Sequence, residues 1–274
     1  MLREILVLII VVNLNVTESV QNFDLCSSIN VTDKDRIVKT LDGQIKGDCY
    51  EVPVTYSDNK TVNYNVFSWR GIPFAEVPTG SKRFMKPVPV TNWIDIKQTT
   101  EWPSGCPQSP LPPFSLPIIS EDCLYLNIFS RNDTYLNRAN ELKPMMIWIH
   151  GGSLLSDSSA SDIWEPSTLV AAGDVIVASI NYRLGIFGFL HLSDTKATGN
   201  IGLLDQQLAI KWIYDNAEKF GGDKKKITIF GESAGSFSVG FHLFMEPSWP
   251  YFRNAIMESG APGGSSKSII NKKI

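Results

Sequence analysis

Five residues, Gly231-Glu232-Ser233-Ala234-Gly235, constrain this chain more than any others. They stand between a β-branched and aromatic run at 227–230 and an apolar stretch of helical length at 234–244. A strand that reverses into a helix this sharply leaves no room for side chains two positions either side of the serine. Gly231 and Gly235 supply that room. The serine itself is expected in a strained backbone conformation that lifts its hydroxyl clear of the sheet. The helix then starts beneath the hydroxyl, with the Ala234 N–H aimed at negative charge developing on a neighbouring oxygen. The pattern predicts Ser233 as a nucleophile and Ala234 as one oxyanion-hole donor.

A second donor set is expected from an earlier strand end. The run Pro144-Met145-Met146-Ile147-Trp148-Ile149 leads directly into His150-Gly151-Gly152-Ser153. Small residues let backbone N–H groups approach a substrate oxygen closely. Gly152 and Ser153 are therefore the other candidate donors.

Around these motifs the chain alternates strands and helices. Strands are expected at 124–129, 144–149, 174–180, 227–230 and 255–257, and helices at 202–220 and 234–244. Continuous apolar runs of this kind fit strands covered on both faces, so the pattern predicts a doubly wound α/β fold with a mostly parallel sheet. Asp42-Gly43 marks a hairpin near the start, and Gly221-Gly222 a helix end. Residues 66–120, rich in Pro, Gly and Trp, are expected to be loop.

Arg3 precedes an unbroken apolar run at 5–12, followed by polar Asn13, Asn15 and Thr17. A membrane span takes about 20 apolar residues. This shorter run reads as the core of a secretory signal peptide at 1–19, cleaved after Ser19, leaving 20–274 as the mature domain. No later stretch has the length and apolarity of a membrane helix. The four cysteines, Cys26, Cys49, Cys106 and Cys123, then suggest two disulfides, with three pairings open. Asn30, Asn59 and Asn132 head glycosylation sequons in polar stretches. Neither a Cys-x-x-Cys nor a His pair at ligand spacing is present, so neither a metal nor another cofactor is expected. The net charge of −3 gives no reason to expect nucleic acid. The basic run Lys224-Lys225-Lys226 reads as a solvated loop.

Several long motifs recur here in the order of a known family. Phe220-Gly221-Gly222, then Ile227-Thr228-Ile229-Phe230 and Gly-Glu-Ser-Ala-Gly, resemble the nucleophile signature of the type-B carboxylesterases, which include the cholinesterases. Glu121-Asp122-Cys123-Leu124-Tyr125-Leu126-Asn127 resembles their second signature. Arg70-Gly71-Ile72-Pro73-Phe74-Ala75, Asn181-Tyr182-Arg183-Leu184-Gly185 and Gly199-Asn200-Ile201-Gly202-Leu203-Leu204-Asp205-Gln206 are similar to further family segments. The resemblance runs from about Arg36 to Gly260. It implies an α/β-hydrolase fold, hydrolysis of a small-molecule carboxylic ester by Ser233, donors at Gly152, Ser153 and Ala234, and a Cys106–Cys123 bridge. Cys26 and Cys49 lie outside the common pattern and are candidates to pair with each other. Ser153 stands where the family usually has Gly or Ala. The loop between Cys106 and Cys123 is short, with Phe114 as its only aromatic and no Trp. The Trp that binds a quaternary ammonium in cholinesterases is thus missing, and choline esters are not the expected substrate.

A serine esterase also needs a histidine base and an acid that orients it. The chain has three histidines. His242 follows Ser233 by nine helical positions, about 13 Å along the axis at about 1.5 Å per residue, and cannot reach the hydroxyl. His150 is expected to brace the oxyanion loop and His191 to be structural. In α/β-hydrolases the acid and histidine follow the serine in the chain, which places both beyond residue 274. The expectation is an N-terminal portion of an esterase, truncated after the elbow helix and the next strand and inactive by itself. A non-catalytic adhesion or binding ectodomain of the same fold is the alternative.

Overall fold

The computed structural model describes residues 32–109, 118–195 and 197–262. The expected signal peptide, Cys26, Asn30 and Phe114 lie outside the described residues. The strands are β1 (Ile37–Lys39), β2 (Gln44–Lys46), β3 (Asp48–Thr55), β4 (Thr61–Pro73), β5 (Lys97–Gln98), β6 (Tyr125–Arg131), β7 (Lys143–Ile149), β8 (Ile176–Ile180), β9 (Gly222–Glu232) and β10 (Asn254–Glu258). The helices are α1 (Asn132–Leu136), α2 (Ser167–Gly173), α3 (Gly185–Phe189), α4 (Ile201–Asn216) and α5 (Ala234–Phe244).

Seven strands form one mixed sheet in the order β10-β9-β7-β8-β6-β4-β3. β10, β9, β7 and β8 run parallel. From β8 outward the pairings through β6, β4 and β3 are antiparallel. β1, β2 and β5 make a separate small sheet. The Asp42-Gly43 turn joins β1 to β2, with Lys39 opposite Gln44.

The continuous apolar runs are explained by two cores. Along β8, Ile176, Ala178 and Ile180 point into the cluster that holds Ala209, Ile210 and Ile213 of α4 and Val239 of α5. Val177 points the other way, against Val170 and Ala171 of α2. Side chains still alternate with the strand period, but both faces are covered, so all five residues of β8 are buried.

Two local expectations change. Residues 66–73 are strand rather than loop. Ser68 and Trp69 are fully buried there, and the register with β6 shifts between Trp69 and Ile72. Gly71 takes a φ of +73° at this bulge, and its N–H donates to Asn127 Oδ1 at 2.9 Å. A bulge that uses Gly and buries a Ser resembles loop composition. Lys224, Lys225 and Lys226 also lie in a strand, because β9 starts at Gly222, opposite Lys143. Lys225 and Lys226 are nonetheless exposed. α4 ends as expected: a 3₁₀ turn follows it and Gly221 closes it with a φ of +90°.

Cys106 and Cys123 are buried and disulfide-bonded, as the family resemblance implied. The bridge spans 17 positions. In the chain-entropy view a loop of that size stabilises by about 3 kcal/mol. The Cys106→Ser/Cys123→Ser double variant should lose about that much in denaturant unfolding under non-reducing conditions. A variant as stable as wild type would show that packing alone holds this loop.

Candidate active site

Ser233 sits between β9 and α5 with φ 52° and ψ −117°. A conformation this sparsely populated costs on the order of 1–3 kcal/mol and needs surrounding structure to hold it. Three contacts do so. The Ser233 N–H donates to Glu258 O of β10 at 2.9 Å, and Phe237 N–H donates to Ser233 O at 3.1 Å. The third is the end of β7, which runs against both glycines of the turn. A Cβ on Gly235 would lie 2.0 Å from Ile149 O and 2.9 Å from His150 O. A Cβ on Gly231 would lie 2.6 Å from Ile149 O. The sequence motif is therefore a statement about how closely two backbones approach.

The loop after β7 lies beside the serine. A Cβ on Gly151 would be 3.4 Å from Ser233 Cβ and 2.9 Å from Glu232 O. Gly152, Ser153 and Leu154 then take φ values of +82°, +58° and +60° in succession. Gly152 O accepts hydrogen bonds from Leu155 N–H at 2.9 Å, Ser156 N–H at 3.0 Å and the Ser156 hydroxyl at 3.1 Å. Leu154 O accepts from Gly185 N–H at 2.7 Å. The carbonyls are thus tied down, while no described residue accepts from the N–H of Gly152 or Ser153. The Ala234 N–H heads α5 and has no intrahelical partner. Position 152 cannot carry a side chain, since a Cβ would lie 2.2 Å from Ser156 O. Ser153 is exposed, so its hydroxymethyl group projects without such a clash.

The histidines are all engaged elsewhere. His150 is buried and stacks on Tyr182, ring centroids 4.4 Å apart. The Tyr182 hydroxyl donates to His150 O at 2.8 Å, and His150 Nδ1 donates to Gly151 O at 3.2 Å. Burial pushes its imidazole below the ordinary range. It braces the loop, as expected. His191 is exposed, with Nδ1 3.2 Å from Thr198 O. His242 is fully buried on α5, with nitrogens 2.9 Å from Ser248 Oγ and 3.1 Å from Gln206 Oε1. Among the described residues no histidine hydrogen-bonds to Ser233. Among the described residues the structure brings together Ser233, Ala234 and the Gly152-Ser153 loop, with no histidine hydrogen-bonded to the serine. No described group of residues could hold a metal ion.

Tyr182 is a brace that motif reading did not single out. Its signal was present in Asn181-Tyr182-Arg183, but the partner of the hydroxyl, a backbone carbonyl at the end of β7, leaves no trace in the sequence.

Residues 34–272 match the model of the carboxylesterase family. The chain is 41% identical over 253 residues to an acetylcholinesterase of Electrophorus electricus, covering 88% of this chain and 38% of that protein. It is 42% identical over 232 residues to a para-nitrobenzyl esterase of Bacillus subtilis, covering 82% of this chain and 44% of that one. An acetylcholinesterase of Gallus gallus is 39% identical over 244 residues, covering 85% of this chain and 30% of that protein. The chain thus spans less than half the length of the relatives it matches.

The packing of the elbow has a direct consequence. Gly235→Ala drives a methyl group into Ile149 O, which is backbone in the centre of the sheet and cannot move aside. The expected loss is about 3 kcal/mol or more, at the upper end for overpacking, read from thermal or denaturant unfolding. A Gly235→Ala protein of wild-type stability would refute the close approach.

Proposed function

Because this chain belongs to the carboxylesterase family, we propose that it carries the nucleophile and oxyanion hole of an enzyme that hydrolyses carboxylic esters by acyl transfer. The observation that carries this reading is the strained Ser233 turn held against a loop with free N–H groups. Ser233 Oγ attacks the ester carbonyl carbon and forms a C–O bond. The carbonyl electron pair moves to oxygen, where the N–H groups of Gly152, Ser153 and Ala234 receive the charge. Each such donor is worth about 10²–10³ in rate. Collapse of the intermediate breaks the bond to the alcohol, which leaves with a proton, and water then releases the acid from the serine by the reverse route.

The proton from Ser233 needs a base. The hydrogen bonds of all three histidines go to groups other than Ser233. We assign the base and its acid to parts of the enzyme outside these residues. The para-nitrobenzyl esterase relative and the missing Trp in the Cys106–Cys123 loop favour an uncharged ester substrate.

We also propose export through the signal peptide and a glycan on Asn59. Asn59 lies exposed at the tip of the β3–β4 hairpin, whereas Asn132 is half-buried and the Thr134 of its sequon is buried and donates to Asp174. No described helix is long and apolar enough to cross a membrane. Enzymatic deglycosylation should shift the mobility of the secreted protein, and Asn59→Gln should remove that shift or most of it.

An organophosphate should label the full-length protein covalently at Ser233, and Ser233→Ala should abolish labelling. Absence of labelling in folded protein would favour the non-catalytic ectodomain instead. The 274 residues expressed alone should show no saturable turnover of a short-chain aryl ester, because serine without a base is a weak nucleophile. Turnover lost in Ser233→Ala would return one of the three histidines to the role of base.

A further inference from the structure

His242 is the one fully buried titratable side chain on the nucleophile helix, and the mechanism above does not use it. Its surroundings form a single chain of hydrogen bonds. Gln207 Nε2 donates to Ser248 Oγ at 3.1 Å. Ser248 Oγ is 2.9 Å from His242 Nδ1, and His242 Nε2 is 3.1 Å from Gln206 Oε1. Gln206 Nε2 donates to Ser238 Oγ at 3.1 Å, and Ser238 Oγ donates to Ala234 O at 3.0 Å. Gln206, Ser238, His242 and Ser248 are all fully buried.

With the Gln206 amide oxygen turned toward His242 and its nitrogen toward Ser238, the directions in this chain follow. An amide oxygen only accepts, so His242 Nε2 carries the proton and donates to Gln206. Nδ1 is then an acceptor, and the Ser248 hydroxyl donates to it while accepting from Gln207. Every proton in the sequence has one acceptor, and the last acceptor is the carbonyl of Ala234. A second proton on the imidazole would face Ser248 Oγ and leave the serine's own hydrogen without a place. It would also put a charge where none compensates it. Burial alone pushes His242 down to about 4, and no charged side chain of α4, α5 or the turn after α5 contributes.

We propose that His242 is a positioning residue: held neutral, it links α4 and the turn at 246–251 to the first turn of α5 and fixes Ala234, whose N–H faces the developing oxyanion. This rests on the assignment of Ser233 and Ala234 given above. The relay acts through Ala234, so its loss affects the transition state rather than substrate binding. A displacement of about 1 Å in such a group costs up to about 10²-fold.

The test is made in the full-length protein, with kcat expressed per site titrated by an organophosphate, which removes any effect of a smaller folded fraction. His242→Leu breaks the relay and should lower kcat per site about 10- to 100-fold with KM within about twofold. His242→Gln keeps one donor and one acceptor and should retain kcat within about threefold. Ser238→Ala, a small change next to Ala234, should lower kcat severalfold and decides the matter if His242→Leu does not fold. The same relay sets an acid response. His242 titrates near 6.5 when unfolded and near 4 when folded, so the unfolded chain takes up the proton first. Stability is lost as pH falls from about 6.5 to about 4, and His242→Gln should flatten that fall in denaturant midpoint. Wild-type kcat per site in the folded His242→Leu or Ser238→Ala protein overturns the proposal. So does a His242→Gln midpoint that falls as steeply as wild type. If the wild-type protein takes no organophosphate at all, the esterase reading itself fails, and the proposal fails with it.

Discussion

The site depends on one close approach: the end of β7 against the turn between β9 and α5. Ile149 O touches the Cα of Gly235 closely enough that a methyl group there would sit 2.0 Å away. From that approach the rest follows. The helix must begin directly after Ser233, so Ser233 is left at φ 52° and ψ −117°. The loop that continues β7 must pass beside the serine, so Gly151 lies against Ser233 Cβ. Parallel pairing of β9 with β7 on one side and β10 on the other supplies the rigidity. Ser233 N–H is itself bound to the end of β10. The strain is therefore distributed over three adjacent strands, which is the condition for such a residue to persist.

The elbow was legible in the sequence because its constraint is local. The apolar strand run, the glycine pair around the serine and the helix all fall within residues 227–244, and α5 begins and ends where the apolar pattern does. The parallel strands were legible for a similar reason: burial on both faces makes a run that no loop would carry. The extension of β4 through residues 66–73 was not legible. Its Ser68 and Trp69 are buried by neighbours distant in sequence, and its Gly71 serves a bulge against β6. The start of β9 at Gly222, ahead of the three lysines, was hidden because Lys225 and Lys226 at that end face water. For the histidines, helix geometry removed His242 as a base. What His242 does instead depends on Gln206, 36 positions away, and Ser248, 6 positions away. No local pattern announces such a partner.

The motifs outside the elbow read as supports for the loop beside it. Asn181 accepts from Ser159 N–H at 2.8 Å and donates to Ser104 O and Cys123 O, which ties three loops to the end of β8. Tyr182 holds the carbonyl of His150. Arg183 makes three hydrogen bonds to Asp205 on α4, and both are almost fully buried. Burial leaves the Asp205 carboxyl above the usual carboxylate range, with the Arg183 guanidinium offsetting only part of that rise. A buried pair of this kind adds little net stability compared with apolar packing, but removing one partner is severe. Its value here is geometric. The Arg183 carbonyl packs against Gly188 of α3 and Gly202 of α4, where any Cβ would lie within 2.1 and 2.6 Å. The pair sets where α4 begins, and α4 carries the two glutamines of the relay under α5.

Ser153 shows how much freedom the loop retains. A residue other than glycine at φ +58° costs about 1–2 kcal/mol, and Leu154 repeats that cost at +60°. Gly152 cannot share it, because Ser156 O occupies the space of its Cβ. The loop holds because Gly152 O has three donors and Leu154 O has the Gly185 N–H. The bonds to Gly152 O fix the Gly152–Ser153 peptide plane, which carries the Ser153 N–H, and the bond to Leu154 O fixes the plane after Leu154. The side chain at 153 is then free to vary, since it points outward, while its N–H is not free to turn. The departure from Gly or Ala at this position therefore changes an exposed side chain beside the proposed oxyanion hole. It leaves in place the backbone that would hold the oxyanion. Selection on substrate shape can act at 153 without disturbing the approach of β7 to the elbow, which Gly151, Gly231 and Gly235 keep.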